Sequence, residues 1–339
     1  MRRGAGIYLV TRIHGLRTHL ITTHNLQIIA KTKDLRDVSD SLMKTEYANE
    51  LSQIPTQEQD AASLENIFLT KLVQRFLFVR AAAQGKMQEL LDRYNARFEV
   101  ENIKRVLRAK HGSGPGEPTL IPLPRGSSLV NFPALLKAKD VEEVISLLRE
   151  TPYHILGNVQ SYSETGEIVI LEATLDATYF TRIWEKVGKV KGILDLVGEE
   201  IDLRNLLIAF YMKTRELPAR TIEQAIIPIS HSLPKVTLHS LLQSRLEDWP
   251  NILSAVYSTL ALDVVNSVKS RSSLPMEQIF SNRLYEDANT VLRTRPLQSG
   301  YIIAYLLLCE CEARNLISIV TGKQLKLSQE MILKGLLGI

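Results

Sequence analysis

The stretch Ser299–Lys323, SGYIIAYLLLCECEARNLISIVTGK, decides how the rest of the chain is read. Its apolar residues at 302, 303, 306, 307, 316, 319 and 320 follow the three-and-four spacing of a helix. The unbroken apolar run, Tyr301 to Cys309, is nine residues long and ends at Glu310. A membrane-spanning helix needs about 20, so the stretch predicts a buried helix of a globular protein. Three polar residues inside it keep a marked spacing: Glu312, then Asn315 three later, then Lys323 eight after that.

The same spacing recurs twice upstream, as Glu99, Asn102 and Lys110 and as Asp202, Asn205 and Lys213. The apolar positions between stay in register: Ile103, Val106 and Leu107; Leu206, Ala209 and Phe210; Leu316, Ile319 and Val320. Each residue turns a helix by about 100°, so acid, Asn and Lys project from one face beside that apolar stripe. Asn is a poor helix-interior residue; its amide is expected to bond a neighbouring helix or a loop carbonyl. The Lys is expected to reach carbonyls near a helix C-terminus. These nine residues read as holding the fold together, because three copies of one spacing do not make a catalytic arrangement.

A second element repeats at an offset of 106. Asp34-Leu35, Val38, Leu42, Thr45 and Tyr47 match Asp140-Val141, Val144, Leu148, Thr151 and Tyr153. A Glu opening a helix recurs as Glu65, Glu172 and Glu277. The acids of the first signature lie 103 and 110 residues apart. This period predicts three diverged copies of one helical unit, at residues 1–132, 133–233 and 234–339, the third without the Thr-x-Tyr.

The remaining chain reads as helical nearly throughout. Helices are expected near 34–44, 60–83, 86–110, 140–150, 173–187, 200–214, 236–247, 250–268 and 275–293, with Glu167–Leu171 as a short strand. Loops are expected at the Gly- and Pro-rich stretch from His111 to Pro118, with Pro122, Pro124 and Pro133 following, and around Pro218, Pro228 and Pro234. The 339 residues are 45% hydrophobic and 23% charged, which excludes disordered and collagen-like chains. A net charge of +4 is too mild for a typical nucleic-acid binder. The start, Met1-Arg2-Arg3, has the charge of a signal-peptide n-region, but Ile7–Val10 is too short an apolar segment. A soluble chain is expected, peripheral to a membrane at most.

Reactive chemistry is not evident. Thr321-Gly322-Lys323-Gln324 and Gly188-Lys189 fail as phosphate loops. His14, His19 and His24 are five apart and do not converge on one metal. Cys309 and Cys311 are too few for a structural metal site and suit a reducing compartment. Tyr153, Tyr179, Tyr211, Tyr285, Tyr301 and Tyr305 are expected in helix contacts. No catalytic, cofactor or metal site is expected. Residues 1–36 carry seven Lys/Arg (2, 3, 12, 17, 31, 33 and 36) against Asp34 alone. That pattern fits either a solvated helix face or proximity to anionic headgroups or an acidic partner.

Asp34–Tyr47 (DLRDVSDSLMKTEY), Asp140–Tyr153, Glu200–Lys213 (EIDLRNLLIAFYMK) and Ser299–Lys323 together resemble the C subunit of archaeal A-type ATP synthases, the counterpart of the d subunit of vacuolar-type ATPases. Tyr305, Glu312, Arg314, Asn315 and Lys323 carry the most specific part. The Gly after the proline loop is kept at Gly126, but Ser230 and His231 stand there in the second copy. The resemblance implies an all-α fold, a funnel of three related units about a pseudo-threefold axis. It implies a non-catalytic central-stalk component without cofactors, peripheral on the cytoplasmic side of the cell membrane. It would sit between the membrane rotor ring and a central shaft of the D and F subunits, so that ion-driven rotation powers ATP synthesis. No nucleic-acid partner is implied. A helical adaptor gripping a coiled coil is the competing reading, though its usual repeats of about 33 to 47 residues are far shorter.

Overall fold

Helices begin where a short acceptor side chain can take the free N–H groups of a first turn. Asp34 caps the helix Leu35–Leu42 by accepting from Asp37 N at 3.1 Å, and Asp140 caps Val141–Leu147 by accepting from Glu143 N at 2.9 Å. Each cap is supported from the other side, because Asp37 accepts from Lys33 N and Glu143 from Lys139 N, the residue just before each cap. The two segments end alike. Thr45 and Thr151 each donate to the carbonyl three residues back and accept from the N–H of Tyr47 and Tyr153.

The computed structural model describes residues 3–112, 118–124, 126, 128–188, 190, 192–270 and 273–339. Arg2, Lys189 and the glycine-rich stretch 113–117 lie outside them. The protein is all-helical, with no strand among the described residues. Ile168–Leu171, expected as part of a strand, opens the helix Ile168–Val187. All four of those side chains are buried, and a short apolar run buried on every side reads the same in either conformation. The expected helix at 86–110 is two, Lys86–Asn95 and Arg97–His111, and that at 250–268 is also two, Trp249–Ser254 and Ser258–Ser270. Two N-terminal helices, Arg3–Arg17 and Thr23–Ala30, precede the first that the periodicity locates.

The chain folds into two compact units. One comprises Met1–Leu91, Val190–Leu196 and Ser281–Ile339; the other comprises Asp92–Lys189 and Val197–Phe280. In the first, Gly300–Gln324 packs along Ala61–Ala82, bringing Leu316, Ile319 and Val320 against Leu64, Ile67 and Phe68. Leu26, Ile29, Val38, Leu42 and Tyr47 complete that core with Ile332 and Leu336. Segments from near both ends of the chain thus share one apolar interior, each large aliphatic side chain contributing about 1.5–3 kcal/mol. Gly322 is required for the closeness: a Cβ there would stand 2.7 Å from Ile332 Cγ1.

In the second unit, Arg97–His111 packs on Ile168–Val187. Buried Lys104 donates to buried Asp176 at 2.5 Å, and Arg108 grips both oxygens of Glu172 at 2.7 and 3.0 Å. Trp249 is buried and donates its indole N–H to Leu241 O at 3.1 Å.

Candidate functional site

The nine signature residues lie on the helices Arg97–His111, Leu194–Thr214 and Gly300–Gln324. The geometry of each Asn is nearly the same. Asn102 Nδ2 donates to Ile121 O at 2.9 Å, and its Oδ1 accepts from Ile121 N at 2.7 Å. Asn205 does this with Ile227 at 3.1 and 2.8 Å, and Asn315 with Leu337 at 3.1 and 2.7 Å. All three amides are buried. Each satisfies both polar groups of one residue in the returning chain, a match that no apolar side chain supplies.

Each Lys reaches carbonyls at or just past the end of a short helix, in part-buried surroundings. Lys110 donates to Leu136 O at 2.7 Å and Lys213 to Leu242 O at 2.8 Å. Lys323 donates to Ala30 O at 3.2 Å and to Thr32 O. Burial lowers the pKa of Lys213 and Lys323; for Lys323 the charges of Asp34 and Asp37 oppose that shift.

The acids differ in what they hold. Glu99 accepts from Ser128 Oγ at 2.5 Å and Tyr153 OH at 3.0 Å. Asp202 accepts three successive backbone N–H groups, from His231, Ser232 and Leu233 at 3.0, 2.5 and 2.8 Å. Burial raises its pKa even against those three donors. Glu312 accepts from Ile21 N at 2.5 Å, Tyr47 OH at 2.8 Å and Arg75 Nη1 at 2.6 Å. Burial and the Glu312 charge both push the Tyr47 hydroxyl well above its usual value. Burial alone would lower the Arg75 pKa, but the charge and hydrogen bond of Glu312, with Tyr47 and Cys309 beside them, together outweigh it and raise the pKa further.

A phase relation emerges. The capped segment ending at Tyr153 closes on Glu99, the acid before it in sequence, whereas the matching segment ending at Tyr47 closes on Glu312, the last acid of the three signatures. The acid and lysine of the third signature thus both bond the N-terminal stretch, at Ile21, Tyr47, Ala30 and Thr32.

Arg75 carries no sequence signal. It sits among apolar residues of Ala61–Ala82, 237 positions from Glu312, and nothing local marks it. Its second amine donates to Glu46 at 3.1 Å, and His19 also bonds Glu46. Burial would raise the Glu46 pKa, but the hydrogen bonds and charges of His19 and Arg75 together win and hold it below its ordinary value. A depressed carboxylate contributes stability above its unfolded pKa and loses it as pH falls through the folded pKa. The stability difference between the native protein and Glu46→Gln is therefore expected to be largest above about pH 5 and to shrink below about pH 4. Urea midpoints measured across that range check this; a difference independent of pH would contradict it.

Among the described residues, no group of three or more His, Cys, Asp or Glu has the geometry to hold a metal ion, and no helix is long and apolar enough to cross a membrane. Cys309 and Cys311 are both buried as free thiols, and burial pushes both up to about 12. The arrangement is three helices holding other parts of the chain: the amides and ammonium groups grip backbone, and the carboxylates take hydroxyl groups at Glu99, backbone at Asp202, and both with a guanidinium at Glu312.

The sequence profile described as ATP synthase (C/AC39) subunit matches residues 9–335. The A-type ATP synthase C subunit of Methanocaldococcus jannaschii is 23% identical over 338 residues, spanning 96% of this chain and 84% of the relative. The proteins of the same name from Pyrococcus horikoshii and Haloferax volcanii are 25% and 23% identical, over 91% and 96% of this chain and 84% and 95% of theirs.

Proposed function

This chain belongs to the ATP synthase (C/AC39) subunit family, and from that premise we propose that it is a non-catalytic central-stalk component of a rotary A-type ATP synthase. It couples the membrane rotor ring to the central shaft of the D and F subunits on the cytoplasmic side, so that ion-driven rotation reaches the catalytic head. The observation that carries this is the family match over nearly the whole chain, joined to relatives named for that complex. The clamps support it physically. A torque-bearing part has to resist sliding of its helices, and directional buried hydrogen bonds oppose a shear that apolar surfaces tolerate. We further propose that the chain is three related helical parts, near 1–132, 133–233 and 234–339, with the first capped segment completing the last part.

The test is affinity purification of the tagged chain from gently solubilised native membranes. Co-recovery of ring, shaft and catalytic-head proteins is expected, together with ATP hydrolysis by the head that pumps no ions when this chain is omitted. Recovery with a coiled-coil partner and no other ATP synthase component would reject the proposal in favour of the adaptor reading.

A further inference from the structure

The helix Gly300–Gln324 ends in a turn that is decorated unlike its counterpart. After Lys213, Glu216 takes left-handed backbone (φ 59°), with Glu216 N donating to Lys213 O and Leu217 N to Met212 O. After Lys323, Lys326 does the same (φ 55°), with Lys326 N donating to Lys323 O and Leu327 N to Gly322 O. Both are the double-bonded helix stop that usually takes glycine at the left-handed position. The backbone requirement is therefore identical, and any difference in side chains reflects something else.

That difference is large. In the first turn Arg215 pairs with Glu167 at 2.7 Å, Glu216 is acidic, and Leu217 is half-buried. In the second, Leu325 replaces the paired arginine and is 65% exposed, Lys326 replaces the acid, and Leu327 is 39% exposed. All eight residues from 324 to 331 are exposed, including Met331 at 58% on the helix Gln329–Lys334. Gln329 Nε2 ties this helix to Lys31 O at 2.9 Å, at the end of Thr23–Ala30, where Ile28 is 51% exposed. Lys31, Lys33, Arg36 and Lys326 are exposed around these apolar side chains, and none forms an ion pair among the described residues. Asp34 and Asp37 cap Leu35–Leu42 and keep their charges, and Glu330 pairs with Lys334 at 2.7 Å, so the four unpaired basic groups outnumber those two capping acids.

We propose that the projecting turn 324–331, with the Lys31–Arg36 stretch beside it, is a docking surface for an anionic lipid membrane. Two features favour lipid over a protein helix. A helix docks in a groove whose apolar lining is half-buried before it arrives, whereas these side chains stand out from a turn exposed throughout. Leucine and methionine projecting among lysines match an interface where apolar tips enter the acyl boundary and ammonium groups stay with headgroup phosphates. The basic excess in residues 31–36, which the clamps leave unused, is also the charge that a membrane's negative surface attracts.

The purified full-length chain is mixed with sedimentable vesicles of phosphatidylcholine alone or with about a third phosphatidylglycerol, at low and high salt. Sedimentation with the anionic vesicles only, weakened by salt, is expected. Lys31→Glu/Lys326→Glu is expected to bind at least about thirtyfold more weakly, two lysine contacts being lost. Lys86→Glu/Lys235→Glu makes the same net charge change elsewhere and is expected to bind as the native chain does. Leu325→Ser/Met331→Ser keeps every charge and is expected to weaken binding as well; its far-ultraviolet circular dichroism checks that it folds. Equal binding by both charge variants, or no binding to anionic vesicles, would overturn the proposal. So would a loss confined to attachment of the chain within the purified membrane complex, which would assign the turn to a protein partner. Because vesicles replace the complex, failure here leaves the stalk reading standing, and failure of the stalk reading leaves this result intact.

Discussion

Glu312→Ala is expected to cost about 3–5 kcal/mol of folding stability, because it takes from a buried guanidinium the nearer of its two carboxylate partners and leaves it only the partly exposed Glu46. Arg75 and Glu312 are both buried, and the bond between them is 2.6 Å long. The same carboxylate also takes Tyr47 OH and Ile21 N, so alanine orphans three donors at once. Arg75→Ala is expected to cost a similar amount and Tyr47→Phe about 1–2 kcal/mol, since phenylalanine removes one hydroxyl and keeps the ring in the core. The pair Arg75→Met/Glu312→Leu is expected to recover only part of the loss, because no unpaired charge then remains buried but Tyr47 OH and Ile21 N still lack their acceptor. Urea unfolding followed by circular dichroism measures all four. A Glu312→Ala protein within about 1 kcal/mol of the native one would show that water reaches the site and that the network contributes little.

The spacing of the three signatures is legible because a helix imposes it: an acid, an amide and an ammonium on one face recur wherever a helix has the same backbone to hold. The partners of those residues are not. Asn102 meets Ile121, whereas Asn205 and Asn315 meet residues 22 positions on, and loop length is free to vary when the clamped residue offers only its backbone. The phase of the repeat is illegible for a different reason. An offset of 106 between Asp34 and Asp140 is unchanged by where a unit is cut, so period alone does not say that Tyr47 closes on Glu312. Arg75 and the Lys104–Asp176 pair are invisible because a buried charge looks like a surface charge in sequence until its partner, 237 or 72 positions away, is known. The short run Ile168–Leu171 passes for a strand because burial on all sides erases the period that would mark it as helix.

Replacing each signature asparagine by alanine, one at a time, is the sharpest trial of whether the three helices are equivalent parts. Each amide satisfies one backbone N–H and one backbone C=O that are sequestered in the fold. Removing it leaves two unsatisfied polar groups at about 1–3 kcal/mol each, so about 2–6 kcal/mol is expected for Asn102→Ala, Asn205→Ala and Asn315→Ala alike. Asn→Asp is expected to be as harmful, since a carboxylate keeps the acceptor but loses the donor and adds a buried charge. Asn205 has one further acceptor, Ile229 O at 3.2 Å, which places it at the upper end of the range. Asn315 holds Leu337 near the C-terminus, so Asn315→Ala is also expected to speed hydrogen exchange at the Leu337 amide under otherwise native conditions. Exchange measured residue by residue separates the outcomes. Local opening at 121, 227 and 337 in the matching variants supports three clamps of one design. A large effect at a single asparagine, with the other two near neutral, would mean that the shared spacing is not a shared mechanical role, and the three-part reading would fail with it.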